Sequence, residues 1–177
     1  GYIGGAGAAA RRENPDRVGV MMGSALGGVA FAESQVEQFL REGPRGLDVS
    51  LALAVFPGAA SCNIAIELGV TGPNATNAMS CASGTIAVGE AFRAVRDDLA
   101  DVMLAGGAEA PLAPLTFAAF SNIRAMSTRN DDPATASRPF DTGRDGFVMA
   151  EGAAFVVVES LEHALARGAR VYAEIAG

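Results

Sequence analysis

The sequence predicts an α/β fold in which helices cover both faces of a sheet. Short uncharged runs, rich in valine, methionine and alanine, alternate along the chain with segments whose apolar residues recur at helical spacing. Strands that are apolar throughout are typical of a sheet buried on both faces. Half of the 177 residues are hydrophobic, and the 22 glycines suit close packing of helices on such a sheet.

The predicted elements follow one another along the chain. We expect strands at 17–23, 100–107, 153–159 and 170–176, and an extended segment from Thr71 to the residues before Cys81. Helices are expected at 33–41, 85–96, within 112–126 and from the cap Ser160 to Arg167, and the start, 1–10, resembles the end of a helix. The long polar stretch 127–145 is predicted to be a functional or interface loop.

The segment around Cys81 is the strongest local candidate for chemistry. Cys81 lies between the extended segment and the helix at 85–96, at or just before the first helical residue. A helix amino terminus presents unpaired N–H groups and a partial positive charge, which favours a thiolate and therefore a better nucleophile. The residues from Ser80 to Gly84 are all small and leave room for a substrate at the sulfur.

Cys62 provides an internal comparison, because most free cysteines do nothing but pack. It lies among apolar residues at helical spacing and no glycine turn follows it closely, so we predict that Cys62 fills the core. The local pattern alone also allows Cys81 to be an inert core residue.

Composition argues against several classes of function. The formal net charge of −7 argues against a nucleic-acid surface, because phosphate binding needs clustered Lys and Arg. An acidic carrier partner would need a local basic patch, and Arg11, Arg12 and Arg17 form the obvious one. One histidine and two separated cysteines cannot make a closed zinc site, so we expect no metal.

The same features predict a cytoplasmic protein. Two cysteines without a disulfide pattern favour a reducing compartment, and no basic-then-apolar leader follows Gly1. The uncharged run 49–66 raises the question of a membrane span, but Pro57-Gly58 interrupts it, so we expect no membrane interaction.

Several longer motifs are more specific than the cysteine alone. They are Gly72-Pro73, Ser80 to Gly84, Ala100 to Met103 with Gly106 to Glu109, Arg124 to Asp131, Ala136 to Asp141, Arg144 to Val148 and Glu151 to Ala153. With these motifs, the sequence from about Arg17 to Gly177 resembles the amino-terminal half of a β-ketoacyl-[acyl-carrier-protein] synthase, closest to the synthase II type.

The resemblance implies a thiolase-like fold, with two similar βαβαβαββ halves that layer helices on mixed sheet. Residues 1–177 would be the amino-terminal β-ketoacyl synthase domain, and the full-length enzyme would be a homodimer. The implied activity is that of an acyltransferase of fatty acid elongation, which joins an acyl thioester to malonyl-acyl carrier protein by decarboxylative Claisen condensation.

The resemblance also assigns roles to three residues. Cys81 would be the nucleophile that accepts the acyl chain, and its backbone N–H would contribute to an oxyanion hole. Leu26 would lie beside the acyl pocket, and Phe147 would help to line it. The partner would be acyl carrier protein, and no cofactor is implied beyond the phosphopantetheine that carries the substrates.

In this family the carboxy-terminal half carries two histidines needed for decarboxylation, a catalytic lysine and the second oxyanion donor. The one histidine of this chain, His163, falls at a helix position that we predict to be a solvated surface site. We therefore expect a fragment that carries the nucleophile and does not complete a condensation alone. Met79 and Ser80 also depart from the Thr-Ala that is usual before the cysteine.

Three other functions stay open. A ketosynthase subunit of a polyketide synthase would share these motifs. A cysteine hydrolase would need a histidine partner for Cys81, and His163 is a poor candidate. In a non-catalytic acyl-binding protein, Cys81 would be inert.

Three carboxylates could in principle form an acid–base pair, namely Asp141, Asp145 and Glu109. We favour a structural role instead, in which charged residues near Arg138 and Arg144 fix the long loop by ion pairs.

Overall fold

The computed structural model describes residues 14–176. These residues form two compact units. The first, here called the sheet unit, comprises the described residues of 14–27, 56–109 and 153–176, and the second, the helical unit, comprises 28–55 and 110–152. The predicted helix end at 1–10 lies outside the described residues.

Four strands and six α-helices account for the regular structure of the described residues. The strands are β1 (Val18–Gly23), β2 (Asn74–Asn77), β3 (Val102–Glu109) and β4 (Gly152–Glu159). The helices are α1 (Val29–Glu42), α2 (Leu51–Ala54), α3 (Ala59–Leu68), α4 (Ser83–Arg96), α5 (Pro114–Asn122) and α6 (Leu161–Ala166). Short 3-10 turns occur at Pro15–Arg17, Pro44–Gly46, Ser80–Ala82 and Pro133–Thr135.

The sheet has the strand order β2-β1-β3-β4. β1 is parallel to both β2 and β3, with Val20 opposite Asn74 and Val18 opposite Val102. The carboxyl ends of these three parallel strands therefore lie at one edge of the sheet. At least one helix connects each of these strands to the next one along the chain.

Each face of the sheet has its own apolar cluster, which confirms the predicted α/β arrangement. On one face, Met103 and Ala105 of β3 pack with Ala91 and Ala94 of α4. On the other, the neighbouring β3 residues 102 and 104 pack with the cluster that joins β1 to Ala65 of α3. Side chains along a strand alternate between faces, so one run of apolar residues serves both clusters.

Small residues bring α4 very close to the sheet at its carboxyl edge. A Cβ atom added to Gly23, the last residue of β1, would lie 2.3 Å from the carbonyl carbon of Ser83 and 2.5 Å from the nitrogen of Gly84. A Cβ on Gly107 of β3 would lie 3.2 Å from the Gly23 oxygen. The start of α4 thus rests directly on strand backbone.

The opposite edge of the sheet unit carries charged side chains. Arg17 bonds Asp101 at 2.7 Å and also pairs with Asp98. The hydrogen bond from Arg17 lowers the pKa of Asp101 below its usual value. Arg17 is therefore engaged within the unit, while Arg11 and Arg12 of the predicted basic patch lie outside the described residues.

His163 is not the solvated histidine that the sequence suggested, so that prediction is wrong. Its side chain is 21% exposed, and Nδ1 lies 2.6 Å from Oε2 of Glu159. Arg167 also donates to both oxygens of this carboxylate, from Nε at 2.8 Å and from Nη2. Burial alone would raise the pKa of Glu159, but hydrogen bonds from Arg167 and His163 outweigh it and lower that pKa.

The helical unit is held by carboxylates that accept backbone N–H groups. Glu33 of α1 accepts from the N–H of Leu115 at 3.1 Å, and Glu151 accepts from the N–H of Leu112 at 3.1 Å. The predicted loop 127–145 contains only the Pro133–Thr135 turn. Its two ends meet where Met126 pairs with Phe147 as an isolated parallel bridge.

The carboxy-terminal segment 170–176 was predicted to be a strand and is not one. A strand needs a neighbour to satisfy its backbone groups, and no described residue pairs with this segment. Tyr172 is 83% exposed, whereas Ile175 packs against the α4 side of the sheet. The other predicted elements are confirmed with small shifts, the largest being α1, which begins at Val29 directly after Gly27-Gly28.

Among residues 14–176, the structure contains no helix long and apolar enough to cross a membrane.

Replacing Gly23 by alanine should destabilise the protein by about 1–3 kcal/mol, because the new Cβ meets strand-to-helix backbone that cannot move aside. The matched control is Gly89→Ala on the exposed side of α4, where a Cβ meets nothing within 4 Å. That change should stabilise by about 0.5–1 kcal/mol, as alanine does within helices. Urea denaturation measures both, and an unchanged Gly23→Ala midpoint would contradict the close approach.

Glu159→Gln should lower the free energy of unfolding at pH 7 by about 1–3 kcal/mol, because it removes a charged acceptor from Arg167 and His163. The folded pKa of Glu159 lies below the ordinary value of 4.5, so its contribution is complete above that pH and is lost as pH falls through the folded pKa. The difference between wild type and variant should therefore shrink below about pH 4.5. Glu162→Gln, exposed on α6, is the control, and equal effects of the two changes would refute the cluster's role.

Candidate functional site

Cys81 lies in the 3-10 turn Ser80–Ala82, between β2 and the first residue of α4. This confirms the predicted turn from strand to helix. The side chain is exposed, as are its neighbours Ser80 and Ala82. The thiol is therefore open to a substrate rather than sealed in the core, although its chemical role stays a prediction.

The turn that carries Cys81 contains a residue with an unusual backbone. Ser80 has a φ of 51°, in the left-handed region. This conformation costs a residue with a Cβ roughly 1–2 kcal/mol, so it persists only where surrounding contacts fix it. It lets the chain change direction between Asn77, where β2 ends, and Ala82, where the turn ends. Cys81 lies at the exposed tip of this turn.

Asn77, the last residue of β2, supplies several of those contacts. Its Nδ2 donates to the carbonyl of Ser83 at 3.0 Å and to that of Met22 at 3.4 Å. Its Oδ1 accepts from the N–H of Met79 at 3.3 Å. One side chain thus joins the end of β1, the cysteine turn and the start of α4.

Leu26 belongs to the loop that follows β1 at the same edge of the sheet. The loop begins beside the end of β2, because the N–H of Ser24 donates to the carbonyl of Asn77 at 3.1 Å. Glu109, at the end of β3, accepts from the N–H of Ala25 at 2.6 Å and from that of Leu26 at 3.2 Å. Leu26 is half-buried, and its backbone is held in place from the neighbouring strand.

Phe147 lies in the helical unit. Its ring meets that of Phe120 edge-on, with centroids 5.4 Å apart and planes at 85°. Backbone hydrogen bonds join its N–H to Ala125 and its carbonyl to Ser127. Phe147 remains 41% exposed, and its role beside an acyl pocket stays a prediction.

Cys62 is exposed, so the prediction that it fills the core is wrong. The buried residues of α3 are Ser61, which hydrogen-bonds Asn74 and Thr76 of β2, and Ala65, which packs with β1, whereas Cys62 belongs to the exposed part of the helix. A shallow depression borders Cys62 and is lined also by Ala65, Ile66, Gly69, Val70, Thr71 and Asn74. Cys81 does not line this depression. Because both cysteines are exposed, any test of the reactive thiol must compare them.

The carboxylates at 141 and 145 have the structural role that we favoured, but through hydrogen bonds rather than ion pairs to Arg138 and Arg144. Asp145 accepts from the hydroxyl of Ser127 at 2.7 Å, and this bond lowers its pKa. Asp141 accepts from the N–H of Gly143 at 2.6 Å. Arg138 instead donates to the carbonyl of Thr135 at 2.8 Å.

Glu109 does not share that loop, and its partners were not visible in the sequence. The hydrogen bonds of Asn77 were not predicted either, although the sequence holds a weak signal for this residue. The available signal for Asn77 was a polar side chain at the end of an uncharged segment that leads to the candidate nucleophile. For Glu109 no local signal exists, because its partners lie more than 80 positions earlier in the chain.

The single histidine cannot serve as a base for Cys81. His163 is bound to Glu159, which directly follows Val158, and Val158 shares a buried cluster with Ala100, just before β3. The cysteine turn instead adjoins the carboxyl ends of the strands. The eight residues of β3 separate these two edges by about 26 Å. A cysteine hydrolase built on a Cys81–His163 pair is therefore excluded.

Within the described part of the chain, no three His, Cys, Asp or Glu side chains are grouped so as to hold a metal ion.

Comparison with known proteins places this arrangement in a family. The family model for the N-terminal domain of beta-ketoacyl synthases matches residues 3–164. The 3-oxoacyl-[acyl-carrier-protein] synthase 2 of Staphylococcus aureus is 48% identical over 162 residues, which cover 92% of this chain and 40% of that protein. The protein of the same name from Synechocystis sp. is 45% identical over 164 residues, which cover 93% of this chain and 39% of that protein. The chain thus spans about 40% of the length of these relatives.

Solved structures agree. A type II PKS acyl-carrier protein in complex with its ketosynthase bound to the hexaketide (AntDE:AntF) matches with a TM-score of 0.89 and 33% identity, over 94% of this chain and 42% of that chain. A beta-ketoacyl synthase from Burkholderia phymatum STM815 matches with a TM-score of 0.75 and 37% identity, over 87% of this chain and 38% of that chain. These likenesses confirm the predicted thiolase-like α/β fold. The chain belongs to the β-ketoacyl synthase family and corresponds to the family's N-terminal domain.

Proposed function

We propose that this chain is the nucleophile-bearing part of a 3-oxoacyl-[acyl-carrier-protein] synthase of fatty acid elongation. The observation that carries the proposal is the exposed Cys81 at the tip of a strand-to-helix turn, in a chain 45–48% identical to synthases of that name. The substrate would be an acyl group borne as a thioester on the phosphopantetheine of acyl carrier protein. A homodimer in the cytoplasm and the absence of any further cofactor remain part of this proposal.

The first step is transfer of the acyl group to Cys81. The thiolate attacks the thioester carbonyl, a tetrahedral oxyanion forms, and its collapse breaks the C–S bond to phosphopantetheine, which leaves as a thiol after taking up a proton. The backbone N–H of Cys81 would stabilise the oxyanion. Leu26 would contact the acyl chain.

The second step consumes a malonyl thioester. Loss of carbon dioxide leaves a carbanion at the α-carbon, which attacks the acyl carbonyl held on Cys81. A carbon–carbon bond forms and the bond to sulfur breaks, so that the thiolate is regenerated. Because His163 is bound to Glu159 at the other edge of the sheet, the groups that assist decarboxylation are not supplied by this histidine.

A ketosynthase of polyketide synthesis is the second candidate, favoured by the TM-score of 0.89 to a polyketide ketosynthase. The two functions differ in the chain that the cysteine receives. A fatty acid synthase takes saturated acyl chains, whereas the polyketide enzyme takes chains that retain their keto groups. Transfer rates from dodecanoyl and acetoacetyl thioesters therefore separate them, and preference for the dodecanoyl chain supports fatty acid elongation.

Incubation of the protein that carries this chain with dodecanoyl-acyl carrier protein should add one dodecanoyl group to Cys81, located by peptide mass spectrometry. Cys81→Ser should lower the labelling rate at least about 100-fold, since a hydroxyl without an adjacent base is a weak nucleophile. Cys62→Ser, at the other exposed cysteine, should label as wild type does. Labelling that follows Cys62, or equal labelling of both, contradicts the proposal.

Asn77→Ala should slow acylation of Cys81 about tenfold, because the turn loses its bonds to Met22, Ser83 and Met79 and no longer holds the thiol in one place. The same change should lower the free energy of unfolding by about 1–2 kcal/mol. Asn63→Ala, on the exposed face of α3, is the matched control and should do neither. Rapid acylation in Asn77→Ala would show that the side chain does not position the cysteine.

A further inference from the structure

The carboxylate of Glu109 closes a network at the end of β3. Oε2 accepts from the N–H of Ala25 at 2.6 Å, Oε1 accepts from the hydroxyl of Ser24 at 3.1 Å, and both lie 3.2 Å from the N–H of Leu26. Ser24 is 4% exposed, and its Oγ accepts in turn from the N–H of Gly27 at 3.2 Å. Three successive N–H groups of an irregular loop thus find their partners in Glu109 and Ser24.

The position of this network in the sheet is informative. The chain leaves β1 and next enters β2 on one side, while β3 lies on the other side of β1. In open α/β sheets, ligands bind at the carboxyl edge where the strand order changes direction in this way. Glu109 joins the loop after β1 to the end of β3 across that crevice.

The same loop borders the candidate nucleophile. Its first N–H, that of Ser24, donates to the carbonyl of Asn77, whose side chain holds the cysteine turn. Gly23, just before it, lies against the backbone of Ser83. The loop and the cysteine turn therefore form adjacent walls of one edge, and the loop's position depends on the carboxylate from β3.

The hydrogen bonds argue against two other roles for Glu109. A general base needs an oxygen that reaches the substrate proton, and here both oxygens already receive N–H or O–H donors. Consecutive backbone N–H groups commonly bind phosphate or another anion. In this loop the chain's own carboxylate occupies that site, so an anionic ligand would have to displace it.

We propose that Glu109 is a positioning residue that locks the Ser24–Gly27 loop and thereby fixes Leu26 as a wall of the acyl pocket. The inference rests on the proposed function and extends it to selectivity between acyl chains. A fixed Leu26 keeps one pocket shape and discriminates between long and short chains. The Glu109 carboxylate touches neither the thiol nor the acyl group.

The experiment compares Glu109→Gln with Glu67→Gln, a matched change at an exposed position of α3. In the protein that carries this chain, kcat and KM for acyl transfer are measured with butanoyl and dodecanoyl thioesters, and Cys81 alkylation with iodoacetamide. In a glutamine side chain an NH₂ group replaces one carboxylate oxygen, so a donor would face a donor at one of the loop N–H groups. That hydrogen bond is lost and the loop becomes more mobile. We expect the dodecanoyl KM to rise about three- to tenfold with a smaller change for butanoyl, while the alkylation rate stays within about twofold. Glu67→Gln should match wild type in all three.

Two further variants distinguish a change in the acyl pocket from simple misfolding. Leu26→Ala, with Glu109 intact, should reproduce the loss of selectivity, and the double variant should lose little more than either single one, because both act through one side chain. Three outcomes would each overturn the inference. The losses could be additive in the double variant, the selectivity of Glu109→Gln could be unchanged, or alkylation and the transfer of both acyl chains could fall equally. If wild-type protein accepts no acyl group on Cys81, the proposed function fails, and the acyl-pocket role fails with it. Hydrogen exchange at residues 25–27 would then still report whether Glu109 holds the loop.

Discussion

The contact between the start of α4 and the carboxyl edge of the sheet is the constraint on which the rest of the site depends. The backbone at Gly23 and Gly107 approaches the first turn of α4 so closely that a side chain at Gly23 would overlap Ser83. Because the first turn of α4 lies so close to the ends of β1 and β3, only a short, sharply turned segment connects β2 to this helix. That segment takes a left-handed Ser80 and carries Cys81 to the surface.

Polar side chains then turn this contact into a defined site. Asn77 fixes the cysteine turn from one side, and Glu109 fixes the loop after β1 from the other. Asn77 bonds backbone groups of β1, of the cysteine turn and of α4, and Glu109 bonds N–H groups of the loop after β1. Backbone groups of this kind are costly to leave unpaired. The charged cluster around Glu159 lies at the far edge of the sheet, so its contribution is to stability rather than to the thiol.

The sequence revealed the parts of this arrangement that depend on local pattern. Apolar runs predicted β1 and β3, and the alanine-rich helical spacing after residue 84 predicted α4 and placed Cys81 before it. The resemblance supplied the thiolase-like fold, which local pattern cannot give. Cys62 was misjudged because α3 is apolar around most of its circumference, so the sequence does not show which side faces β1. Residues 170–176 have a strand-like composition, but a strand also requires a neighbour, and none of the described residues pairs with them.

The partners of Glu109 could not have been predicted, since they lie more than 80 positions away and depend on the packing of separate elements. Glu159, four positions before His163, is a local partner that the sequence analysis missed. The most direct test of the account is a crystal structure of the protein after reaction with a dodecanoyl thioester. The account predicts continuous electron density from the Sγ of Cys81 into an apolar channel bounded by Leu26, with the Asn77 and Glu109 hydrogen bonds intact. An unmodified Cys81, or an acyl chain attached to Cys62, would contradict it.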